Sequence, residues 1–140
     1  MLLPNGTVFA VVDGEKFELY RNSGIEAEPR LTALTVPELE PTNFSAGARE
    51  HDAGSRHKAR TGDPSNDSLD ERAHVAAVTD WLNRKVLERE IEQLIVVADP
   101  RSLGEMRRHY HKELKQVLVG EVAKTMTGRP AAEIVRALHD

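Results

Sequence analysis

Leu3-Pro4-Asn5-Gly6-Thr7-Val8-Phe9-Ala10-Val11-Val12-Asp13-Gly14-Glu15-Lys16-Phe17-Glu18-Leu19-Tyr20-Arg21-Asn22 opens the chain as two extended runs around a tight turn. Thr7 to Val12 is a continuous β-branched and aromatic run, the pattern of a strand covered on both faces. Asp13-Gly14 is a strong hairpin signal, because glycine accepts positive φ freely and aspartate tolerates it. Phe17-Glu18-Leu19-Tyr20 returns with partial alternation, so a β-sheet begins with the first residues.

Further along, Arg30 to Val36 alternates well enough for a third strand, and Pro37 ends it. The segment from about 38 to 67 is polar and rich in proline and glycine, with Leu39 and Phe44 as its only large apolar side chains. It reads as a long mobile surface loop. Ser68-Leu69-Asp70-Glu71 has the form of a capping box, with Ser68 as N-cap of a helix running to about Glu90. Val75, Val78, Leu82 and Val86 recur at helical spacing, with Trp81 beside them, opposite a wet face of Asp80, Arg84 and Glu88. Leu94-Ile95-Val96-Val97-Ala98 is the best candidate for a central, two-sided strand. Asp99-Pro100-Arg101 closes it, and Ser102-Leu103-Gly104-Glu105 repeats the capping-box pattern. A second helix is expected there, burying Leu103, Met106, Tyr110 and Leu114. Val117 to Ala123 could extend that helix or form a fifth strand, and its three valines favour the strand. Pro130 suits a first helical position before a short helix over Ala131 to Leu138.

The order βββαβαβα predicts a single α/β domain over residues 1–140, with a mixed five-stranded sheet and helices on both faces. The ribonuclease H-like arrangement is one architecture with this order. A length of 140 residues fits one core, and 39% apolar with 30% charged residues is ordinary for a globular protein. The formal charge of −4 argues against a generally basic nucleic-acid binder, so any polyanion contact must come from a local patch. With no cysteine there is no disulfide, zinc–thiolate site or thiol nucleophile. No run approaches the length of a bilayer span, and the N-terminus does not read as a signal peptide, so a cytoplasmic location is expected.

Five motifs resemble the bacterial host attachment protein family, named for a role in attachment to host cells. They are Leu3-Pro4-Asn5-Gly6-Thr7, Asp13-Gly14-Glu15-Lys16, Arg21-Asn22-x-Gly24, Ala98-Asp99-Pro100-Arg101-x-Leu103-Gly104-Glu105-Met106-Arg107 and Lys124-Thr125-Met126-Thr127. They follow in order over nearly the whole chain, with the long loop unmatched. Members more often have Asp-Leu where this chain has Thr125-Met126. That family is in turn similar to the middle domain of archaeal and eukaryotic class I peptide release factors. The relationship implies a ribosome-directed ancestry and the same mixed sheet. In true release factors a catalytic Gly-Gly-Gln lies in the loop after the early strands. The corresponding loop here has no adjacent glycines and no glutamine, since Gln93 and Gln116 are the only ones in the chain. Peptidyl-tRNA hydrolysis therefore does not carry over.

Two basic groupings are candidate nucleic-acid or partner contacts. Arg101, Arg108, Lys112 and Lys115 recur at spacings that share one face of the expected second helix, with Arg107 and His111 flanking them. They could face phosphates, although an ordinary solvated face is the stronger reading of such a pattern. In the long loop, Arg49, Arg56, Lys58 and Arg60 give a mildly positive tip, equally readable as a tolerated hydrophilic insertion. Asp13 and Asp99 each follow an expected strand, where paired carboxylates could hold magnesium for phosphodiester cleavage, with Asp70, Glu71 or Glu105 in support. The turn and the strand exit explain them more simply, so the nuclease reading ranks last. Ser102 and Gly104 lack phosphate-loop spacing, and His109 and His111 point to different helix faces. The expectation is a non-enzymatic binding protein without a cofactor or metal. Its partner would be an unidentified protein, or a ribosome or other RNA.

Overall fold

The computed structural model describes residues 4–25, 27–39 and 64–138, with the backbone alone for 64–68. The strands are β1 (Val8–Val12), β2 (Phe17–Asn22), β3 (Leu31–Leu34), β4 (Leu94–Ala98) and β5 (Leu118–Ala123). The helices are α1 (Pro64–Leu87), α2 (Pro100–Arg107), α3 (Lys112–Val117) and α4 (Ala131–Ala137). The five strands form one sheet in the order β3-β2-β1-β4-β5. β1 pairs antiparallel with β2, and β2 with β3, while β1, β4 and β5 run parallel. This is the expected mixed five-stranded α/β domain.

β1 and β4 are the two apolar runs, and every residue of both is buried. Their side chains alternate between two cores, as the pleat requires. Val8, Ala10, Val12, Leu94, Val96 and Ala98 pack with residues of α1, α2 and α3. Phe9, Val11, Ile95 and Val97 pack with Ile134 and Leu138 at the α4 end. The larger core takes Val75, Val78, Leu82 and Val86 from α1, the stripe read from its periodicity. Trp81 sits at its edge against Phe17, with ring centroids 5.6 Å apart at 70°. That edge-to-face geometry contributes about 1 kcal/mol beyond area burial.

Several boundaries differ from expectation. α1 starts at Pro64, a full turn before Ser68, so Ser68 is inside the helix and is not its N-cap. Proline at the first helical position loses no ladder bond, which makes it a natural start. At the other end α1 stops at Leu87 in a left-handed turn. Arg89 has φ 62, Arg89 N–H donates to Val86 O at 3.0 Å and Glu90 N–H to Lys85 O at 2.9 Å. Those bonds are a Schellman closure, on a residue where glycine is usual.

α2 begins at Pro100 rather than Ser102, and its cap is Asp99, whose Oδ2 accepts from Ser102 N–H at 3.0 Å. The expected single second helix is also broken. α2 ends at Arg107 and α3 starts at Lys112, capped by His111 Nδ1 accepting from Glu113 N–H at 3.0 Å. Asn83 of α1 fills the break, its Nδ2 donating to His109 O at 2.9 Å and its Oδ1 accepting from His111 N–H at 3.0 Å. One side-chain amide thus replaces the ladder bonds that a continuous helix would have made. Residues 118–123 are strand, with one extra residue between the pairs Leu94–Leu118 and Ile95–Gly120. β3 is shorter than the Arg30 to Val36 run, and Pro130 is the N-cap of α4 rather than its first helical residue. Among the described residues no helix is long and apolar enough to cross a membrane.

Candidate functional site

The carboxyl ends of the parallel strands are where open α/β sheets usually bind ligands. Here β1, β4 and β5 end in Asp13, Asp99 and the Lys124-Thr125-Met126-Thr127 segment. Three of the five signature motifs therefore meet in space, around a surface depression of about 330 Å³ lined by Asp13, Gly14, Glu71, Asp99, Arg101 and Thr125, among others.

Both aspartates are engaged in holding the chain. Asp13 Oδ1 accepts from the N–H groups of Glu15 at 2.7 Å and Lys16 at 2.6 Å, closing the β1–β2 turn. Its Oδ2 accepts from Thr127 Oγ at 2.5 Å, tying the turn to the segment after β5. Burial pushes the Asp13 carboxyl up, but the bonds from Thr127 and the two amides, with His74 nearby, hold it below the usual aspartate value. Asp99 caps α2, as described above. Gly14 does not take the positive φ that the turn signal suggested; α1 passes close by instead, and a Cβ there would stand 2.9 Å from Glu71 Cγ, so that side chain would have to shift. Glu71 in turn reaches Arg101, 3.7 Å away. Among the described residues no group of three or more histidine, aspartate or glutamate side chains is placed to hold a metal ion.

At the opposite end of the sheet the remaining signature residues tie the β2–β3 connection to the N-terminal segment. Asn22 is fully buried, and its Oδ1 accepts from Gly24 N–H and Arg30 N–H, each at 2.9 Å. Asn5 Nδ2 donates to Gly24 O at 2.7 Å, and Thr7 Oγ donates to Pro4 O at 2.8 Å. A Cβ on Gly24 would lie 2.4 Å from Glu28 O, so no other residue fits there without a backbone shift.

The basic surface is carried by α2 and α3. Arg101, Arg107, Arg108, Lys112 and Lys115 are all exposed, but the break at His109–His111 places them on two helices rather than one continuous face. Each arginine lies against a carboxylate. Arg107 donates to Glu121 Oε1 through Nη2 at 2.6 Å and Nε at 3.1 Å. Arg108 lies 3.5 Å from Glu105, and Arg101 pairs with Glu71. Lys112 and Lys115 have no ion pair among the described residues. Arg49, Arg56, Lys58 and Arg60 lie outside the described residues, as does most of the loop expected over 38–67.

Two carboxylates beneath this surface were not singled out from sequence as its organisers. Glu105 is only 10% exposed and gathers two arginines and a histidine. Arg72 Nε lies 3.3 Å away, His109 Nε2 at 2.9 Å and Arg108 at 3.5 Å. Since a carboxylate only accepts, His109 Nε2 carries the proton in that bond. Burial raises the Glu105 carboxyl, but the His109 bond and the charges of Arg72 and Arg108 bring it below the ordinary glutamate value. Glu121 on β5 likewise accepts from Tyr110 Oη at 2.8 Å as well as from Arg107. Burial again opposes and these two bonds prevail, so its carboxyl is held low. Burial and the neighbouring Glu121 push the Tyr110 phenol up. Only the alternation of β5, which turns Glu121 toward the helices, hinted at this contact.

The molecule is thus an α/β domain whose strand-end carboxylates are engaged in turns and caps, and whose polar surface features are basic side chains set over half-buried glutamates. Residues 6–138 match the family model described as bacterial archaeo-eukaryotic release factor family 12, and the chain belongs to that family. No curated protein matches it.

Proposed function

We propose that this chain is a release-factor-like module that binds ribosomal RNA through the basic surface of α2 and α3 and does not hydrolyse the peptidyl ester. The observation that carries the reading is the cluster on residues 100–115, five lysines and arginines against two glutamates in a chain whose formal charge is −4. Family membership supports the link to translation, and the lack of any Gly-Gly-Gln supports a binding role without chemistry. Phosphate contacts of this kind release counterions and weaken steeply with salt. The engaged state of Asp13 and Asp99 supports a non-enzymatic reading over a magnesium nuclease, and a location in the cytoplasm is part of the same proposal.

The test is sedimentation of the native protein through a sucrose gradient at low salt. Cofractionation with ribosomes, lost when Arg108 and Lys112 are both changed to glutamate, is the expected result. Wild-type protein that stays at the top of the gradient under these conditions refutes the proposal.

The signature motifs favour a second reading, a binding protein required for attachment of the bacterium to host cells. A direct adhesin would be cleaved by protease added to intact cells. An intracellular module would be protected.

A further inference from the structure

Gly104 has no structural reason to be glycine. It lies in the interior of α2, where glycine costs about 1 kcal/mol relative to alanine. No positive φ is required there, and a Cβ built at this position meets nothing within 4 Å. Gly14 and Gly24 differ, because a Cβ at either would run into Glu71 or into Glu28 O. Leu103 and Met106 bury the inner side of α2, while Gly104 stands on its exposed side.

On a helix surface the neighbours of a residue are those three and four positions away. For Gly104 these are Pro100, Arg101, Arg107 and Arg108, the last continuing the helical turn as the C-cap in αR conformation. Side chains lean toward the helix N-terminus, and Arg108 does so, reaching back to Glu105, while the Arg107 guanidinium turns to Glu121 on β5. Arg101 and Arg108 have side chains 71% and 65% exposed and lie 3.7 and 3.5 Å from their carboxylates. At these distances, with the guanidinium groups in water, the two contacts contribute little.

Resting on the RNA-binding reading above, we infer that Gly104 is the close-approach point of the interface, where an RNA sugar–phosphate strand lies against the α2 backbone with Arg101 and Arg108 on either side. Arginine suits this role because its planar fork meets phosphate oxygens two at a time. The charge pattern favours RNA over a protein partner, since the exposed ridge offers guanidinium groups and no large apolar anchor.

Four proteins decide the matter: wild type, Gly104→Ala, Gly104→Gln and the Arg108→Glu/Lys112→Glu double variant. Each is melted, and each is titrated by fluorescence anisotropy against deproteinised RNA from purified ribosomes. Gly104→Ala is expected to raise the melting temperature by about 3 °C, since it gains helix propensity and meets no obstacle. Gly104→Gln adds bulk without charge and is expected to weaken RNA binding by about tenfold or more, while melting no lower than wild type. A melting temperature lowered by Gly104→Ala would show a structural need for glycine and overturn the inference. Gly104→Gln binding as tightly as wild type, while the double variant loses binding, overturns the inference and leaves the RNA reading standing. Wild type that does not bind this RNA removes both.

Discussion

Asp13 and Asp99 leave the ends of two parallel strands; Asp13 spends both side-chain oxygens, on the amides of Glu15 and Lys16 and on Thr127, and Asp99 caps α2 through Oδ2. At the residue scale that is the difference between a carboxylate that waits for a ligand and one that fixes a turn. The same reasoning applies to Arg89, which occupies a left-handed position without glycine. An L-residue there carries a steric cost of about 1–2 kcal/mol, part of which glycine returns as unfolded-state entropy. Arg89→Gly is therefore expected to stabilise the domain by about 0.5–1 kcal/mol in urea denaturation, and a loss of stability would refute the Schellman assignment. Acid should act through Asp13, Glu105 and Glu121, whose carboxyls all sit below their ordinary values of 3.8 and 4.5. A depressed carboxyl stabilises the fold above its unfolded value, and the contribution disappears as pH falls through the folded one. Thermal stability should accordingly hold from neutrality down to about pH 5 and fall below about pH 4.5, and Glu105→Gln should flatten part of that fall. An unchanged profile in the variant would mean Glu105 carries none of it.

At the scale of elements, the break between α2 and α3 separates what local sequence can state from what it cannot. The hairpin at Asp13-Gly14, the apolar runs of β1 and β4 and the stripe of α1 were all legible, because each is fixed by residues near in sequence. Periodicity carried the second helix straight through His109, yet Asn83, more than twenty residues upstream, supplies the two bonds that let it stop. Capping boxes at Ser68 and Ser102 misled for a related reason. Pro64 and Asp99-Pro100 lie just upstream and start the helices earlier. The basic strip was legible as a composition but not as a shape, since its single face depended on that unbroken helix. Asn83→Ala would leave His109 O and His111 N–H without their partner and should cost about 2 kcal/mol. Amide exchange resolved by residue should show lost protection at His111 with α1 intact, and unchanged protection there would contradict the role given to Asn83.

For the whole molecule, the sheet places the signature residues at its two ends and the basic side chains along one flank, over Glu105 and Glu121. The fold and the release-factor kinship followed from motifs that the structure explains as turns, caps and close approaches. Function was less legible, because residues proposed to bind through charge need no fixed spacing, and Arg49, Arg56, Lys58 and Arg60 lie outside the described residues. The surface reading makes a quantitative demand. If α2 and α3 meet phosphates, the logarithm of the affinity must fall linearly with the logarithm of salt concentration, with a slope of about 0.7–0.9 per contact. The deciding measurement is equilibrium binding to purified ribosomes across a salt series, for the wild type and for Lys112→Ala. The wild type should show a steep slope, and the variant a slope smaller by about one contact. Binding that ignores salt, or a slope unmoved by losing Lys112, would contradict a phosphate-facing surface.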